Sequence, residues 1–441
     1  MRHDPVILIS IVFGFCLAPQ VLPADDVPNG DYGAYNTWPE MLEKFEGLKK
    51  KHPDLIWRTS IGKTLEGRDI PAFRISDHAD RDEDEPELLL QAGIHPREQP
   101  PQVLLPRLLE EMFDRYGSDP RITKLIDERE IWVIPVFNVD GKVYDMKHGN
   151  GTDHGAEWRK NRRPLPGGGH GIDLNRQFSV HWGATTDVEL KAATTVNPKS
   201  DYYIGEGPMT EPETQALTKF LRERPLRLYV DIHSPFKAIF HPSFLLKPDH
   251  ERYARMVRTM QSLQKTPYKA TRTDRDTEPG ARRAGDAGVS YDYGWYVAGV
   301  YSFIFEIWAD PKWYPPPAQI DGEYANFRDP MLYLIEEAAD LPLPKKGSAV
   351  FKEGAAGGKL SPGASVSWTP KVEGPCAYGV LVSGAPEIRV MSEYRLFPVK
   401  KGFGLQVMKD AKPGTEVPMT LYLWDRERGG TEAGFLLKIE P

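Results

Sequence analysis

The sequence has very little cysteine: its 441 residues include only Cys16 and Cys376. Cys16 lies in an apolar N-terminal run that we predict to be removed, so the mature chain would keep one cysteine and could form no intramolecular disulfide. Export from the cell usually permits disulfides. A large hydrophobic core must therefore supply the stability, and a chain of this length can bury one.

The chain also lacks an excess of positive charge. Its formal net charge is −7, its calculated isoelectric point is about 5.9, and no basic stripe runs along it. Nucleic-acid-binding surfaces require clustered lysine and arginine. The composition therefore argues against a nucleic-acid partner.

A hydrophobic run long enough to cross a bilayer is missing as well. The apolar run at residues 5–17 is too short for that and fits the core of a secretory signal peptide. We predict a signal peptide over residues 1–24, a secreted or periplasmic protein, no membrane association after removal of the signal, and a monomer. A buried N-terminal strand or an uncleaved anchor are the alternatives. Phe15 before Cys16 disfavours a lipoprotein, because lipid attachment needs a small residue there.

Composition and hydrophobic pattern divide the rest of the chain into four segments. Residues 25–36 are polar and punctuated by glycine and proline, which predicts a linker. Over residues 37–340, strands separated by amphipathic helices predict an α/β domain with a mostly parallel mixed sheet and helices on both faces. Residues 341–358 are rich in glycine and proline and read as a second linker. Short strand-like runs over residues 359–441 predict a small β-sandwich domain.

Within the α/β part, apolar periodicity locates the main elements. Buried strands are predicted at residues 87–92, 131–136, 226–232 and 301–307. Helices are predicted from Trp38, at residues 103–116, and from a capping box at Thr210–Glu213 to about Arg224.

His95 and Glu98 stand three residues apart directly after the first of these strands. A histidine and a glutamate at this spacing on a turn can converge on one metal ion, and zinc accepts both ligand types. The pair alone is a weak signal, because such pairs also occur by chance on helix surfaces.

His233 stands at the carboxyl end of the strand at residues 226–232. A core histidine with a structural partner is the simpler reading of an isolated case. However, open α/β sheets bind ligands at the carboxyl ends of their strands. Two histidines and one carboxylate would leave a coordination position for water, which is typical of catalytic zinc.

Glu306 lies inside the apolar strand at residues 301–307. A buried carboxylate is costly unless it is paired or functional, so an ion pair is one reading. Burial should also raise its pKa, which suits a group that accepts and returns a proton.

Arginines cluster in WRKNRR at residues 158–163, and a glycine-rich loop leads from there to DLNR at residues 173–176. Such clusters are usually solvated. Because these flank the candidate metal ligands, they also suggest recognition of an anion, and arginine binds a peptide's C-terminal carboxylate in bidentate fashion.

The order of these motifs (HxxE, WRKNRR, DLNR, IHS, SFxFE) resembles that of the zinc carboxypeptidases of the pancreatic A and B type, over about residues 38–340. The resemblance implies hydrolysis of the C-terminal peptide bond of peptides or proteins. It also implies one zinc ion per chain, held by His95, Glu98 and His233, which is the His₂Glu set of carboxypeptidase A.

Roles in the chemistry follow from the same resemblance. Glu306 matches the acid/base glutamate, and Arg159 matches the arginine that stabilises the oxyanion. Asp173 matches the carboxylate that contacts the first zinc histidine on its outer nitrogen and orients the ring.

The resemblance also implies substrate contacts. Asn175 and Arg176 match the pair that clamps the terminal carboxylate, and Arg97 matches an arginine of the neighbouring subsite. Tyr291 occupies the position that sets side-chain preference. Because a tyrosine there is bulky and neutral, we expect small to medium apolar C-termini to be preferred.

Two departures from the family pattern bear on binding, and Tyr291, which is neither an aspartate nor an apolar residue, is the first. The family's mobile tyrosine stands eight residues before the aspartate matched by Asp292, where this chain has Ala284. Asp286 or Asp231 could supply the charge that Tyr291 lacks. The family's disulfide and long inhibitory pro-segment have no counterpart, which predicts a chain that needs no proteolytic activation.

Other functions stay open at this point. A peptidase of bacterial cell-wall peptides or a deacylase of the same fold would share the HxxE and His pattern. A non-catalytic zinc- or peptide-binding protein could also keep the pocket. The presence of both histidines, Glu98 and Glu306 argues against the last of these.

Overall fold

The computed structural model describes residues 32–150, 155–180, 182, 197–242, 247–271, 288–308, 312–343, 350–374, 376, 378–383, 387–391, 397–424 and 430–441. The predicted signal peptide at residues 1–24, Ala284 and Asp286 lie outside these residues.

One mixed sheet carries the larger part of the chain. In spatial order its strands are β1 (Ile56–Lys63), β2 (Asp69–Ile75), β4 (Glu130–Ile134), β3 (Glu87–Ala92), β5 (Leu226–His233), β8 (Tyr301–Glu306), β6 (Ala238–Phe240) and β7 (Lys269–Thr271). The central strands β4, β3, β5 and β8 run parallel. The pairs β1–β2, β2–β4 and β8–β6 are antiparallel. The predicted mostly parallel mixed sheet is confirmed.

Helices cover this sheet. The described ones are α1 (Trp38–Lys51), α2 (Gln99–Arg115), α3 (Pro120–Asp127), α4 (Val139–Lys147), α5 (Pro212–Glu223), α6 (Lys247–Leu263), α7 (Ser290–Tyr296) and α8 (Pro317–Glu337). Every residue of β3, β4 and β8 is buried. This explains their nearly continuous apolar sequences, since a parallel sheet is covered on both faces. No helix in the described part of the chain has the length and apolar character needed to cross a bilayer.

The start of α5 differs from the prediction. The helix begins at Pro212 with Glu211 as its N-cap residue, and no side chain caps it. The N–H and hydroxyl of Thr210 donate instead to Gln177 Oε1, at 3.0 and 2.9 Å. The predicted capping box is therefore wrong, because Thr210 is hydrogen-bonded to Gln177, which is distant in sequence, and does not cap the helix.

The predicted linker at residues 25–36 needs a correction where it is described. Tyr32 and Tyr35 are buried in the main core. The Tyr32 hydroxyl donates to the Met146 carbonyl at 2.5 Å, and Tyr35 packs edge-on against Tyr314. The glycine and proline content of this segment predicted a linker, although it contains two tyrosines that belong to the core.

The C-terminal part forms two four-stranded sheets around a second core, which confirms the predicted β-sandwich. One sheet has the order β12 (Ile388–Val390), β14 (Phe403–Val407), β10 (Ser365–Glu373) and β9 (Val350–Ala356). The other has the order β13 (Phe397–Pro398), β11 (Tyr378–Ser383), β15 (Glu416–Trp424) and β16 (Gly430–Lys438).

Strand β9 corrects the second predicted linker, which ran to residue 358. Its glycine has a packing reason: a Cβ on Gly354 would lie 1.9 Å from Cζ2 of the buried Trp368.

The two cores also meet in β15. Leu421 and Leu423 belong to the sandwich core, whereas Tyr422 between them belongs to the main core, as the alternation of a strand requires.

Candidate active site

Three neighbouring parallel strands end at one place on the sheet. β5 ends at His233 and β8 ends at Glu306, and these two residues are register partners. After β3 the chain turns sharply at Gly93, whose φ is +72° and where a Cβ would approach Val136 Cα to 3.1 Å. That turn leads directly to His95, so all three segments meet at the carboxyl edge of the sheet.

His95, Glu98 and His233 form a buried cluster, with exposed fractions of 2%, 4% and 1%. One ligand atom from each lies within 4.8 Å of the others. His95 Nδ1 is 2.7 Å from Glu98 Oε1, and His233 Nδ1 is 3.2 Å from Glu98 Oε2. The sequence prediction that these three residues converge is therefore met by the geometry.

Charge is strongly coupled within this cluster. Burial disfavours the Glu98 carboxylate, but the two histidines hold its pKa well below the ordinary value. Burial would likewise lower the pKa of His233, but Asp231 and Glu98 raise it well above the ordinary value. A bound cation would take the place of the proton that the His233 imidazole otherwise holds.

The donor set fits zinc, which in catalytic sites takes two histidines and a glutamate and leaves a fourth position open. The neighbouring carboxylate fits such a site too. Glu306 Oε2 is buried and has no hydrogen-bond partner among the residues that the structure describes. Burial raises the pKa of Glu306 to about 8, although His233 opposes the shift. An unpartnered acceptor of raised pKa thus lies beside three zinc-type ligands.

A second group of possible ligands, Asp77, His78 and Glu83, lies at the surface. His78 is exposed there, and its Nδ1 lies 3.1 Å from Glu83. Exposed groups of this kind are common without an ion, so the buried cluster is the better candidate.

Asp173 lies behind His95. Its Oδ1 is 3.1 Å from His95 Nε2 and accepts the Asn175 N–H at 3.0 Å. Its Oδ2 accepts from Arg159 Nε at 3.0 Å and lies 2.9 Å from a second guanidinium nitrogen. Burial opposes ionisation of Asp173, but Arg159 and His95 hold its pKa well below the ordinary value.

Arg159 is buried beside the cluster. One of its guanidinium nitrogens lies 3.5 Å from Glu98 Oε1, and its plane covers the Tyr202 ring at 4.8 Å. The rest of WRKNRR is used elsewhere. Arg163 binds Glu211 at 2.7 Å, and Arg162 stacks on the Tyr144 ring at 3.5 Å. Of the three arginines in WRKNRR, Arg159 is therefore the one that lies beside the candidate metal ligands.

Asn175 and Arg176 form a short 3₁₀ turn with Leu174 at the same edge. Asn175 Oδ1 accepts the N–H of Ser290 at 2.9 Å, so the amide NH₂ is the remaining polar group of that side chain. Arg176 is buried and donates to the Asn175 carbonyl at 2.7 Å. Burial lowers the pKa of Arg176 and Asp173 opposes this effect.

Arg97 projects from the loop between His95 and Glu98. Its Nη1 donates to Asp201 Oδ2 at 2.7 Å, and its guanidinium lies over the Trp313 ring at 4.4 Å. Tyr291 is almost fully buried in a separate cluster with Val289 and Ile304, against which Phe240 packs. The two residues thus have no neighbour in common among these contacts.

Sequence reasoning missed Gln91 and Ser290. Gln91 Nε2 donates to Asp231 Oδ1 at 3.1 Å, and Ser290 Oγ donates to Asp231 Oδ2 at 2.6 Å. The available signal was a polar residue at matched positions of two apolar strands, because Gln91 and Asp231 are register partners. Ser290, at the start of α7, has no comparable signal in the sequence.

Comparison with known proteins agrees with this geometry. The sequence profile of Peptidase M14, zinc carboxypeptidase, matches residues 41–328. Mast cell carboxypeptidase A of Rattus norvegicus is 28% identical over 243 residues, which are 54% of this chain and 55% of that protein. A zinc carboxypeptidase of Saccharothrix mutabilis subsp. capreolus is 36% identical over 165 residues, 37% of this chain and 36% of that one. The chain thus spans about half the length, or less, of these two relatives.

The fold has solved counterparts. The crystal structure of carboxypeptidase A from Helicoverpa armigera aligns with a TM-score of 0.55 and 24% identity. The alignment covers 69% of this chain and 73% of that one. At this identity the likeness concerns the fold, and the profile match over residues 41–328 carries the assignment. The chain belongs to the zinc carboxypeptidase family, Peptidase M14.

Proposed function

We propose that this protein is a zinc-dependent carboxypeptidase that removes C-terminal residues from peptides or proteins and holds one zinc ion per chain. The observation that carries the proposal is the buried cluster of His95, Glu98 and His233, with Glu306 in register beside His233. When bound, zinc supplies Lewis acidity and lowers the pKa of a coordinated water.

Glu306 is the acid/base in this proposal. Its buried, unpartnered oxygen accepts a proton from the attacking water and returns it to the departing amine. The pKa of about 8 supports both steps, because a group of near-neutral pKa can take up and release a proton at physiological pH.

Arg159 stabilises the oxyanion that develops on the scissile carbonyl. Two contacts with Asp173 hold the guanidinium of Arg159 in position before the reaction. A preorganised cation in a water-poor site interacts more strongly with developing charge than a solvated cation does.

Asn175 and Arg176 bind the terminal carboxylate. The backbone N–H of Ser290 donates to the side-chain oxygen of Asn175. This hydrogen bond leaves the NH₂ group of Asn175 directed to the substrate. Arg176 adds a buried cation, whose guanidinium donates to the main-chain carbonyl of Asn175. Arg97, stacked on Trp313, contributes to the neighbouring subsite.

The preferred C-terminal side chain is neutral in this proposal. Tyr291 brings a ring and an uncharged hydroxyl to its pocket, among apolar neighbours. Asp231 is engaged by Gln91, Ser290 and His233. Of the two carboxylates that could pair with a basic side chain, Asp231 is therefore already in use, and Asp286 lies outside the described residues. Without a free counter-charge, burial of a lysine or arginine side chain is costly.

We further propose that the protein is exported and acts as a monomer, with a catalytic domain at about residues 37–340 and the β-sandwich as a separate C-terminal domain. The apolar run at residues 5–17 supports export. The two separate cores support the domain division.

Paired substrates test the proposal. Wild-type protein with zinc should hydrolyse a blocked dipeptide with a free C-terminal carboxylate and cleave its C-terminal amide poorly. Arg176→Ala should raise KM for the free acid about 10- to 100-fold, since a hydrogen bond to a charged group contributes about 1.5–3 kcal/mol.

Arg162→Ala is the matched control, because Arg162 stacks on Tyr144 and Trp158. It should leave the preference for the free acid unchanged. Equal cleavage of acid and amide would show that the enzyme is not an exopeptidase. Activity only on cell-wall peptides or on N-acyl substrates would favour the related alternatives.

A further inference from the structure

The second candidate zinc histidine has a buried carboxylate behind it. Asp231 precedes His233 by two residues on β5, so both side chains lie on the same face of the sheet. His233 Nε2 lies 3.1 Å from Asp231 Oδ2. Asp231 is 0% exposed, and a carboxylate buried to this extent requires polar partners that hold it in place.

Two such partners are present. Gln91, its register partner on β3, donates to Oδ1 at 3.1 Å, and Ser290 donates to Oδ2 at 2.6 Å. Gln91 and Ser290 are themselves fully buried. The carboxylate is therefore fixed by groups from β3 and α7, and it offers Oδ2 to the imidazole.

The arrangement is similar to that at His95, where Asp173 is hydrogen-bonded to Nε2, although at His233 the 3.1 Å contact with Asp231 is an ion pair and not an aligned hydrogen bond. In both histidines Nδ1 faces Glu98, and Nε2 faces a buried carboxylate, Asp173 in one case and Asp231 in the other. A carboxylate on the outer nitrogen of a ligating histidine fixes its tautomer and orientation and increases its basicity. Ser290 connects this group with the substrate clamp, because its N–H donates to Asn175.

We propose that Asp231 is a positioning residue that orients His233 toward the metal, with Gln91 and Ser290 as its supports. The inference rests on the proposed zinc site but requires no peptidase activity. Asp231 would thereby raise the affinity of the site for zinc and fix its coordination geometry.

Zinc affinity, measured by competition with a chromophoric chelator, tests this directly. Asp231→Asn keeps the size of the side chain and should weaken zinc binding about 10- to 100-fold. It should also change the visible absorption spectrum of the cobalt-substituted protein, because that spectrum reports ligand geometry. Ser290→Ala, which removes one support, should weaken zinc binding in the same direction by a smaller factor.

Asp140→Asn is the matched control. Asp140 is also buried and accepts from Thr64, Glu66 and Arg68, but these contacts belong to a different part of the domain. This variant should bind zinc like the wild type. Wild-type zinc affinity and an unchanged cobalt spectrum in Asp231→Asn would overturn the inference, and so would an equal loss in Asp140→Asn.

If Asp231→Asn does not fold, Ser290→Ala carries the test, and unchanged zinc affinity in that variant overturns the inference. Because neither readout involves turnover, a zinc-loaded protein without carboxypeptidase activity would refute the proposed function and leave this test intact.

Discussion

His233 and Glu306 occupy the same register position in the parallel pair β5–β8, and each is the last residue of its strand. The backbone of the sheet, and not a loop, therefore sets the distance between a candidate metal ligand and the candidate acid/base. Sites built on strands hold their geometry better than sites built on loops.

The zinc content of purified protein should be one ion per chain and should fall to near zero in His233→Ala, because only two of the three ligands remain. His78→Ala is the matched control, since His78 belongs to the exposed group with Asp77 and Glu83. Metal analysis of the purified proteins gives the count. Retention of zinc in His233→Ala together with its loss in His78→Ala would place the metal at the surface group.

Glu306→Gln should bind zinc and substrate while kcat falls about 10²- to 10⁴-fold, since an amide cannot take the proton of the attacking water. Steady-state kinetics and zinc analysis on the same preparation test this. Glu213→Gln provides the control, because Glu213 is also a buried glutamate but contacts Leu65 and not the metal cluster. A near-normal kcat in Glu306→Gln would assign the acid/base role to another residue.

Gly288→Ala should raise KM for free-acid peptides and lower thermal stability. A Cβ at Gly288 would lie 2.4 Å from the carbonyl oxygen of Arg176, and its φ of +71° disfavours a side chain. Gly67→Ala separates these two effects. Gly67 has a φ of +86° with open space around it, so this variant bears the backbone cost of about 1–2 kcal/mol alone. Equal effects of the two substitutions on KM would show that Gly288 does not support the clamp.

Tyr291→Asp should shift C-terminal preference from small or medium apolar residues toward lysine and arginine, by placing a carboxylate among Val289, Ile304 and Phe240. Tyr291→Phe, which keeps the ring, should retain the neutral preference. Cleavage of a peptide library measures the C-terminal preference of the wild type and of both variants. A wild-type preference for basic residues would mean that another carboxylate serves the pocket.

Glu213 predicts a pH effect on stability. Burial raises its pKa to about 7 from an ordinary value of 4.5, against the lowering effect of the Leu65 N–H. Between these pH values the unfolded chain loses this proton and the folded chain keeps it. The free energy of unfolding therefore falls as pH rises from 4.5 to 7, by at most about 3 kcal/mol for this group.

Glu213→Gln has no proton to lose, so its melting temperature relative to wild type should increase between pH 5 and pH 8. Glu43→Gln, at an exposed position, should show a constant difference over that range. A constant difference for Glu213→Gln as well would contradict the raised pKa.

Much of the site could be predicted from sequence because its residues lie at strand ends. His233 and Glu306 interrupt apolar runs, and His95 follows one, so strand periodicity locates them. The clustering with Glu98 then follows from the rule that parallel strands bind ligands at their carboxyl edge. The family resemblance added Arg159, Asp173 and the clamp, whose spacing alone carries no such signal.

The remaining contacts depend on tertiary packing that a single sequence does not encode locally. Gln177, which takes the Thr210 hydroxyl, is more than 30 residues away from it, so the capping pattern at Thr210 looked complete. Gln91 and Ser290 reach Asp231 from other elements. Gly354 contributed to the prediction of a linker, whereas the structure shows that the Trp368 ring requires a glycine at this position of the strand.

Tyr422 has a practical consequence for dissecting the chain. Because it leaves the sandwich and fills a position in the main core, removal of the C-terminal sheets would leave an apolar recess on the surface of the remaining fragment. A fragment ending near residue 341 should therefore aggregate before it loses its metal ligands. Replacing the tyrosine by alanine in the full-length chain would measure how strongly the two halves depend on each other for folding.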